Sequence, residues 1–293
     1  MISHVMPGAP DSATEMLPAL SGRFFFLIGA MKAGTSSIYN HLAAHPSIYA
    51  APRKEPRFFS NPHPTRDEVA AYSALFAGRT DEAWAFEAST AYTKAPMLPG
   101  VADRIFKVLP DARFIYVIRD PVERICSAYL HNCAEGREHR ALQDALWDTS
   151  REYLNVSRYH MQIAEYLRIF PRERLLVLVF EEFVADVDAT LDQVARFLDL
   201  KDGFAPVGVA SRYNETAKKR APLPMLSPLR RTLEKSGLPW RVKSWAARPL
   251  TRSLPSKRDV LDAGLRRRIL RELDTDIATL QDFLGRRLSC WNL

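Results

Sequence analysis

Two stretches of this 293-residue chain combine residue types and spacings that could do chemistry. The first is GAMKAGTSS (29–37), in which Gly29 and Gly34 bracket a tight turn and Thr35, Ser36 and Ser37 follow it. Glycines let a backbone curl until its N–H groups converge, so Ala33 and Gly34 can aim amides at an anion. A helix starting at Thr35 adds partial positive charge, Lys32 adds a full one, and three hydroxyls can donate. Such a turn suits a phosphate or a sulfate; the plain alternative is an ordinary strand-to-helix turn with a glycine at each end. The second stretch is RDPVERICSAYLHN (119–132). Its Arg119 guanidinium and Ser127 hydroxyl suit a phosphate dianion. Taken singly, Arg119 could instead pair with Asp120 or Glu123, and Ser127 could be an ordinary surface serine. His131, four residues past Ser127, shares its helix face.

Elements must hold these residues, and the apolar pattern provides them. Residues 24–28 are all apolar, as in a strand buried on both faces, and Ile38 and Leu42 give the stretch from Thr35 helical spacing. Residues 114–118 form another such strand with Arg119 at its C-terminal end, where ligands gather in open α/β sheets. Pro121 suits a first helical turn, with Asp120 as its N-cap. Further strands are expected at 84–88 and 175–180. Helix is expected at 66–77, over most of 141–170, and as one piece at 181–200 with Val187, Leu191, Val194 and Leu198 inward. Residues 45–60 read as a loop that Pro46, Pro52 and Pro56 hold extended. An amphipathic helix is expected at 259–286, with Leu265, Ile269, Leu273, Ile277, Leu280 and Leu284 on its stripe. Residues 1–22 read as a flexible segment, and the Pro-, Arg- and Trp-rich 225–256 has no assignment. The sum is one α/β domain over 23–293 with a mainly parallel sheet covered on both faces.

A net charge of +7 favours acidic partners: nucleotide, anionic glycan, nucleic acid or a membrane surface. Arg266, Arg267, Arg268 and Arg271 carry part of it and read as a solvated helix face. No apolar run is long enough to span a bilayer, and residues 1–22 lack the pattern of a signal peptide. Three cysteines cannot all pair, and Cys126 and Cys133 lie seven apart on one helix, beyond disulfide reach. A reducing cytoplasm is the simplest compartment.

An ATP-binding loop reads GxxxxGK[ST], with Lys directly after the second Gly. Here Lys32 comes two residues before Gly34 and Thr35 follows it. KxGTSS instead resembles the 5′-phosphosulfate loop of sulfotransferases that use 3′-phosphoadenosine-5′-phosphosulfate (PAPS). The resemblance extends over roughly residues 23–220. In that family R-[DN]-P-x-x-R-x-x-S-x-Y grips the 3′-phosphate, which here implies contacts from Arg119 and Ser127, with Arg124 and Tyr129 completing the match. By residues alone Glu55 is a solvent-facing carboxylate among basic neighbours. The resemblance of Lys54, Glu55, Phe58 and Phe59 to the Lys-Glu-x-x-Phe-Phe segment of glycan-modifying members implies that Glu55 is the catalytic base. A Glu-x-[ST]-Pro-x-Tyr segment lines the acceptor cleft in the family. This chain keeps Glu87, Ser89 and Tyr92 but has Thr90 for the proline, and Ala88 where some heparan-type members carry Lys. His131 is a further substrate-side candidate. The basic loop that closes over the cofactor corresponds to Lys218, Lys219 and Arg220.

The resemblance therefore implies a P-loop-type three-layer fold. It implies metal-free, in-line transfer from PAPS to a hydroxyl or amine on a glycan or other small metabolite, releasing adenosine 3′,5′-bisphosphate. No nucleic-acid partner is expected, while peripheral membrane contact and oligomeric state stay open. The alternatives are an ATP-dependent small-molecule kinase on the same fold and a non-catalytic nucleotide- or polyanion-binding protein.

Overall fold

The computed structural model describes residues 20, 22–205, 220–222, 251–253 and 256–293. Most of the 1–22 segment, Lys218, Lys219 and nearly all of 225–256 lie outside the described residues. Strands form at Arg23–Gly29 (β1), Ile48–Ala50 (β2), Trp84–Ala88 (β3), Arg113–Ile118 (β4), Leu175–Val179 (β5), Arg220–Pro222 (β6) and Thr251–Ser253 (β7). Helices form at Thr35–Ala43 (α1), Arg66–Ala74 (α2), Val101–Val108 (α3), Pro121–Ala134 (α4), Leu142–Leu146 (α5), Glu152–Asn155 (α6) and Tyr159–Leu167 (α7). Four more follow: Phe180–Ala185 (α8), Val187–Phe197 (α9), Lys257–Val260 (α10) and Ala263–Leu284 (α11).

The chain divides into two compact units, one of residues 1–29, 35–117 and 163–207, the other of 30–34, 118–162 and 208–293. The first holds a five-stranded sheet in the order β2–β3–β1–β4–β5. β1 pairs in parallel with β3 and with β4, and β2 in parallel with β3. From Phe24 onward every residue of β1 is buried, as is all of β3, so neither sheet face is open there. Aromatic rings fill both sides: Phe25 stacks on Phe86 at 4.8 Å and Phe26 on Phe114 at 5.8 Å. Apart from Glu87 in β3, the charged residues of this sheet stand at strand starts. Arg23 and Arg113 share Asp199 at 2.8 Å each, and both guanidiniums lie over Trp84.

The second unit packs α4, α5, α6 and α11 around Ile125, Leu130, Leu146, Leu154, Ile269, Leu273 and Ile277. Arg267, Arg268 and Arg271 are exposed, as a solvated face requires. Arg266 instead turns toward Asp120 at 3.5 Å, and Arg268 lies 4.3 Å over Trp147. Cys126, Cys133 and Cys290 form no disulfide. Among the described residues no helix is long and apolar enough to cross a membrane.

Four sequence expectations change. The loop expected at 45–60 contains β2, too short to show an alternating pattern. The single helix expected at 181–200 breaks at Asp186, whose side chain accepts from the Ala189 N–H (2.9 Å) and starts α9 as an N-cap. The C-terminal helix begins at Ala263 because Asp262 caps it through the Leu265 N–H (2.7 Å), and it ends at Gly285 in the left-handed region. α3, entered through left-handed Gly100, was not foreseen; Val101, Ala102 and Ile105 turn inward from it.

Gly29 ends β1 at φ +144°, and a Cβ there would run into Thr93 Oγ1, which already donates to the Ile28 carbonyl at 2.9 Å. Gly29→Ala is expected to cost at least about 2 kcal/mol in chemical denaturation. Gly203→Ala, at a site with nothing within 4 Å of the added carbon, should stay within about 0.5 kcal/mol of wild type.

Candidate active site

Two sets of polar side chains stand out, one in each unit. In the second unit, residues 30–34 make the turn that follows β1. Lys32 (φ 71°) and Gly34 (φ 87°) are both left-handed, and the Ala33 N–H closes on the Ala30 carbonyl at 3.1 Å. Alternating handedness directs successive amides toward one side. The first-turn amides of α1, which begins at Thr35, have no partners within the helix. Lys32 is half-buried, and Thr35 and Ser37 are buried.

Arg119 directly follows β4 in the chain, as the turn directly follows β1. Arg119 Nη1 donates to the Lys32 carbonyl at 3.2 Å. Its own carbonyl accepts from Tyr159 Oη at 2.7 Å, which fixes the backbone there. The ion pair to Glu123 is long, 3.8 Å, and the Arg119 side chain is 19% exposed. Asp120 caps α4 as expected, accepting from the Val122 and Glu123 N–H groups at 2.9 and 3.0 Å. Ser127 lies one turn beyond Glu123 and is 8% exposed, and His131, another turn on, is half-buried.

The same motif contains residues of a different kind. Arg124 is 1% exposed and donates from Nε to Ser157 Oγ (2.6 Å) and from Nη2 to the Tyr153 carbonyl (2.5 Å). Ser157 Oγ donates in turn to the Pro121 carbonyl at 3.3 Å. Tyr129 Oη donates to the Arg140 carbonyl at 2.8 Å, and burial raises its phenol pKa. Arg124 and Tyr129 therefore bind α4 to its own unit. Arg220 opens β6, whose backbone pairs antiparallel with β7.

The first unit holds the carboxylates. Glu55 is not in extended backbone, as its flanking prolines suggested, but left-handed at φ 60°, and Arg57 is left-handed at φ 57°. The turn lets Glu55 bond at both ends: its N–H donates to the Ala88 carbonyl (2.8 Å), and its carboxylate accepts from Thr90. The Thr90 N–H lies 3.2 Å from each carboxylate oxygen, and Thr90 Oγ1 donates to Oε1 at 3.0 Å. Arg57 Nε adds a longer contact to Oε2, 3.4 Å. The Glu55 side chain is 27% exposed, within reach of water or a ligand. Beside it Lys54 Nζ donates to Ser36 Oγ at 2.6 Å; burial lowers the lysine pKa, against the pull of Glu55. Neither the Thr90 clamp nor the Lys54–Ser36 bond was read from the sequence. Thr90 was visible there only as a missing proline.

Glu87 and Tyr92 lie in the interior rather than on a cleft wall. Glu87 is fully buried and accepts from Ser89 Oγ (2.8 Å), from Tyr72 Oη (3.3 Å) and, in a very short bond, from Tyr92 Oη. Burial pushes its pKa up to about 7, against the three hydroxyls that favour the charged form. Burial and the Glu87 charge together raise both tyrosines well above the usual phenol range.

Comparison with known proteins adds a family. The model described as "Sulfotransferase family" matches residues 52–203. Mouse heparan sulfate glucosamine 3-O-sulfotransferase 3B1 is 28% identical over 209 residues, 67% of this chain and 52% of that protein. Human carbohydrate sulfotransferase 15 is 22% identical over 244 residues, covering 60% and 43% respectively. The chain spans about half the length of the curated relatives it matches. Among solved structures, a sulfotransferase from Alicyclobacillus acidocaldarius superposes with a TM-score of 0.65 at 26% identity, over 94% of this chain and all of that one.

The raised pKa of Glu87 has a sign that stability measurements can check. The folded state holds this proton more tightly than the unfolded chain, whose carboxyl titrates near 4.5. The stabilisation is fully present below the unfolded value and is lost as pH rises through about 7. Between those limits the unfolding free energy of wild type should fall relative to Glu87→Gln by on the order of 1–3 kcal/mol. Denaturation of both proteins across that range tests it, and parallel curves would refute the assignment.

Proposed function

Because the chain belongs to the sulfotransferase family, we propose that it moves a sulfuryl group from PAPS to a hydroxyl or amine on a glycan or other small metabolite. The observation that carries this reading is the hydrogen bond that joins Arg119 to the carbonyl of Lys32 in the left-handed turn. The residues suit a donor with two anionic ends. The left-handed turn and the start of α1 offer amides and hydroxyls for a 5′-phosphosulfate. Arg119 and Ser127 offer a fork and a hydroxyl for a 3′-phosphate. Lys218, Lys219 and Arg220 are the proposed closing cations.

When bound, the donor supplies an activated sulfuryl group, whose S–O bond to the 5′-phosphate breaks as the acceptor atom bonds to sulfur. Lys32 neutralises charge growing on the phosphate oxygen that leaves. The amides of Ala33 and Gly34 and the hydroxyls of Thr35, Ser36 and Ser37 hold that phosphate in place. Glu55 takes the acceptor proton on its carboxylate, aimed by Thr90. Glu87 and Tyr92 serve the acceptor side from beneath, through the segment that bears Glu55, and His131 is the remaining candidate to touch the acceptor. Cysteines that form no disulfide favour a reducing compartment.

A hydrogen bond to a charged group is worth roughly 1.5–3 kcal/mol, about 10- to 150-fold in affinity. Adenosine 3′,5′-bisphosphate is therefore expected to bind at least about tenfold more tightly than adenosine 5′-monophosphate. Arg119→Ala should erase most of that preference and leave the monophosphate nearly unchanged. Calorimetric titration of both ligands decides it. Equal affinities, or ATP with magnesium displacing both, would end the sulfotransferase reading. With radiolabelled PAPS and a cell extract as acceptor source, Lys32→Ala should abolish labelled product while its unfolding transition stays that of wild type.

A further inference from the structure

Glu87 is a carboxylate set among Phe26, Phe59, Tyr72 and Tyr92, where an aliphatic side chain would cost far less to bury. What it does there follows from the direction of its hydrogen bonds. The Arg57 N–H donates to Ser89 Oγ (3.0 Å), and that hydroxyl donates its own proton to Glu87 Oε2 (2.8 Å). The Phe59 N–H donates to Tyr92 Oη (3.2 Å), and that hydroxyl donates to Glu87 Oε1. Two backbone amides that flank the left-handed turn at Glu55 and Arg57 thus reach one carboxylate through two hydroxyl relays. A hydroxyl that accepts from an amide must give its hydrogen elsewhere. Only a group able to accept at both oxygens lets both relays run at once, as the ionised Glu87 carboxylate does above about pH 7.

We propose that Glu87 is the positioning residue for Glu55, holding the strained 55–59 segment against the end of β3 so that the Glu55 carboxylate stays seated on Thr90. This rests on the reading of Glu55 as the base. The strain is real, since neither Glu55 (φ 60°) nor Arg57 (φ 57°) is a glycine. The seat is shared, because the strand that carries Glu87 also supplies the Ala88 carbonyl that receives the Glu55 N–H. Glu87→Gln keeps the shape but presents an NH₂ on one side. That side donates to a hydroxyl already receiving an amide, so one relay loses its outlet.

The test has a structural and a kinetic arm. In Glu87→Gln, hydrogen exchange at the Arg57 or Phe59 amide should quicken at least tenfold, while amides in the middle of β1 keep their protection. Transfer from radiolabelled PAPS to acceptors in a cell extract should fall at least tenfold, with affinity for adenosine 3′,5′-bisphosphate within twofold of wild type. In a Glu55→Gln background the same change should lower transfer less than twofold further, since a residue that acts through Glu55 has nothing left to position. Additive losses, or unchanged exchange at both amides, would overturn the proposal while leaving the base assignment standing. Full activity in Glu55→Gln alone would overturn the base assignment, and this proposal with it. If Glu87→Gln does not fold, Ser89→Ala cuts one relay: exchange should then quicken at Arg57 and not at Phe59. The reverse, or no change, would count against the assignment equally.

Discussion

A strand buried on both faces has no place along its length for a charged side chain, and this constraint arranges the rest of the molecule. β1 is enclosed from Phe24 onward and β3 throughout. β4, which pairs with β1, is buried from Phe114 to Ile118. Charge must then collect beyond the strand ends. At the starts it is neutralised locally, with Arg23 and Arg113 sharing Asp199. Beyond the other ends stand Lys32, in the turn after β1, and Arg119, after β4. Two residues far apart in sequence are linked there, since Arg119 donates to the Lys32 carbonyl. Two such cations suit an anionic ligand, and the ion pair from Arg119 to Glu123 is long, at 3.8 Å.

Glu87 is the exception that the constraint makes informative. It sits within β3, fully buried, one residue from the strand end. Three hydroxyls converge on it and offset part of the cost of dehydrating a carboxylate. Those hydroxyls come from different segments: Tyr72 from α2, and Ser89 and Tyr92 from the turn after β3. Two of them pass the restraint on to the backbone amides of Arg57 and Phe59. Burial of one acid thereby fixes the conformation around another, half-exposed acid, Glu55. A rigid underside with an accessible carboxylate above it is what general-base chemistry asks of a scaffold.

The helix after β4 divides its labour similarly. Arg119 precedes it with a partly exposed side chain, whereas Arg124 and Tyr129 turn to carbonyls of their own unit. A compact motif of that kind couples ligand contacts to packing. Removing Arg124 would leave buried carbonyl and hydroxyl partners without their donor, although Arg124 itself is almost wholly hidden from solvent.

The sequence by itself determined the strand cores, the phosphate-type turn, the Asp120 cap and the places of Lys32, Arg119 and Ser127, because each of these is a local pattern. Apolar runs, a glycine-bracketed turn and a proline at a helix start depend on neighbours a few residues away. It did not determine β2, α3, the break at Asp186 or the conformation of Glu55. β2 exists only because β3 offers it an edge. Asp186 could have ridden inside a longer helix, and its side chain chose the Ala189 amide instead. Above all, the two prolines beside Glu55 pointed to extended backbone, and hydrogen bonds to residues 88–90, more than thirty positions away, turned it left-handed. Glu87 and Tyr92 read as a cleft lining, yet tertiary packing drew them into the core. Which side of a chain meets the ligand is a property of everything packed behind it, and no local pattern carries that information.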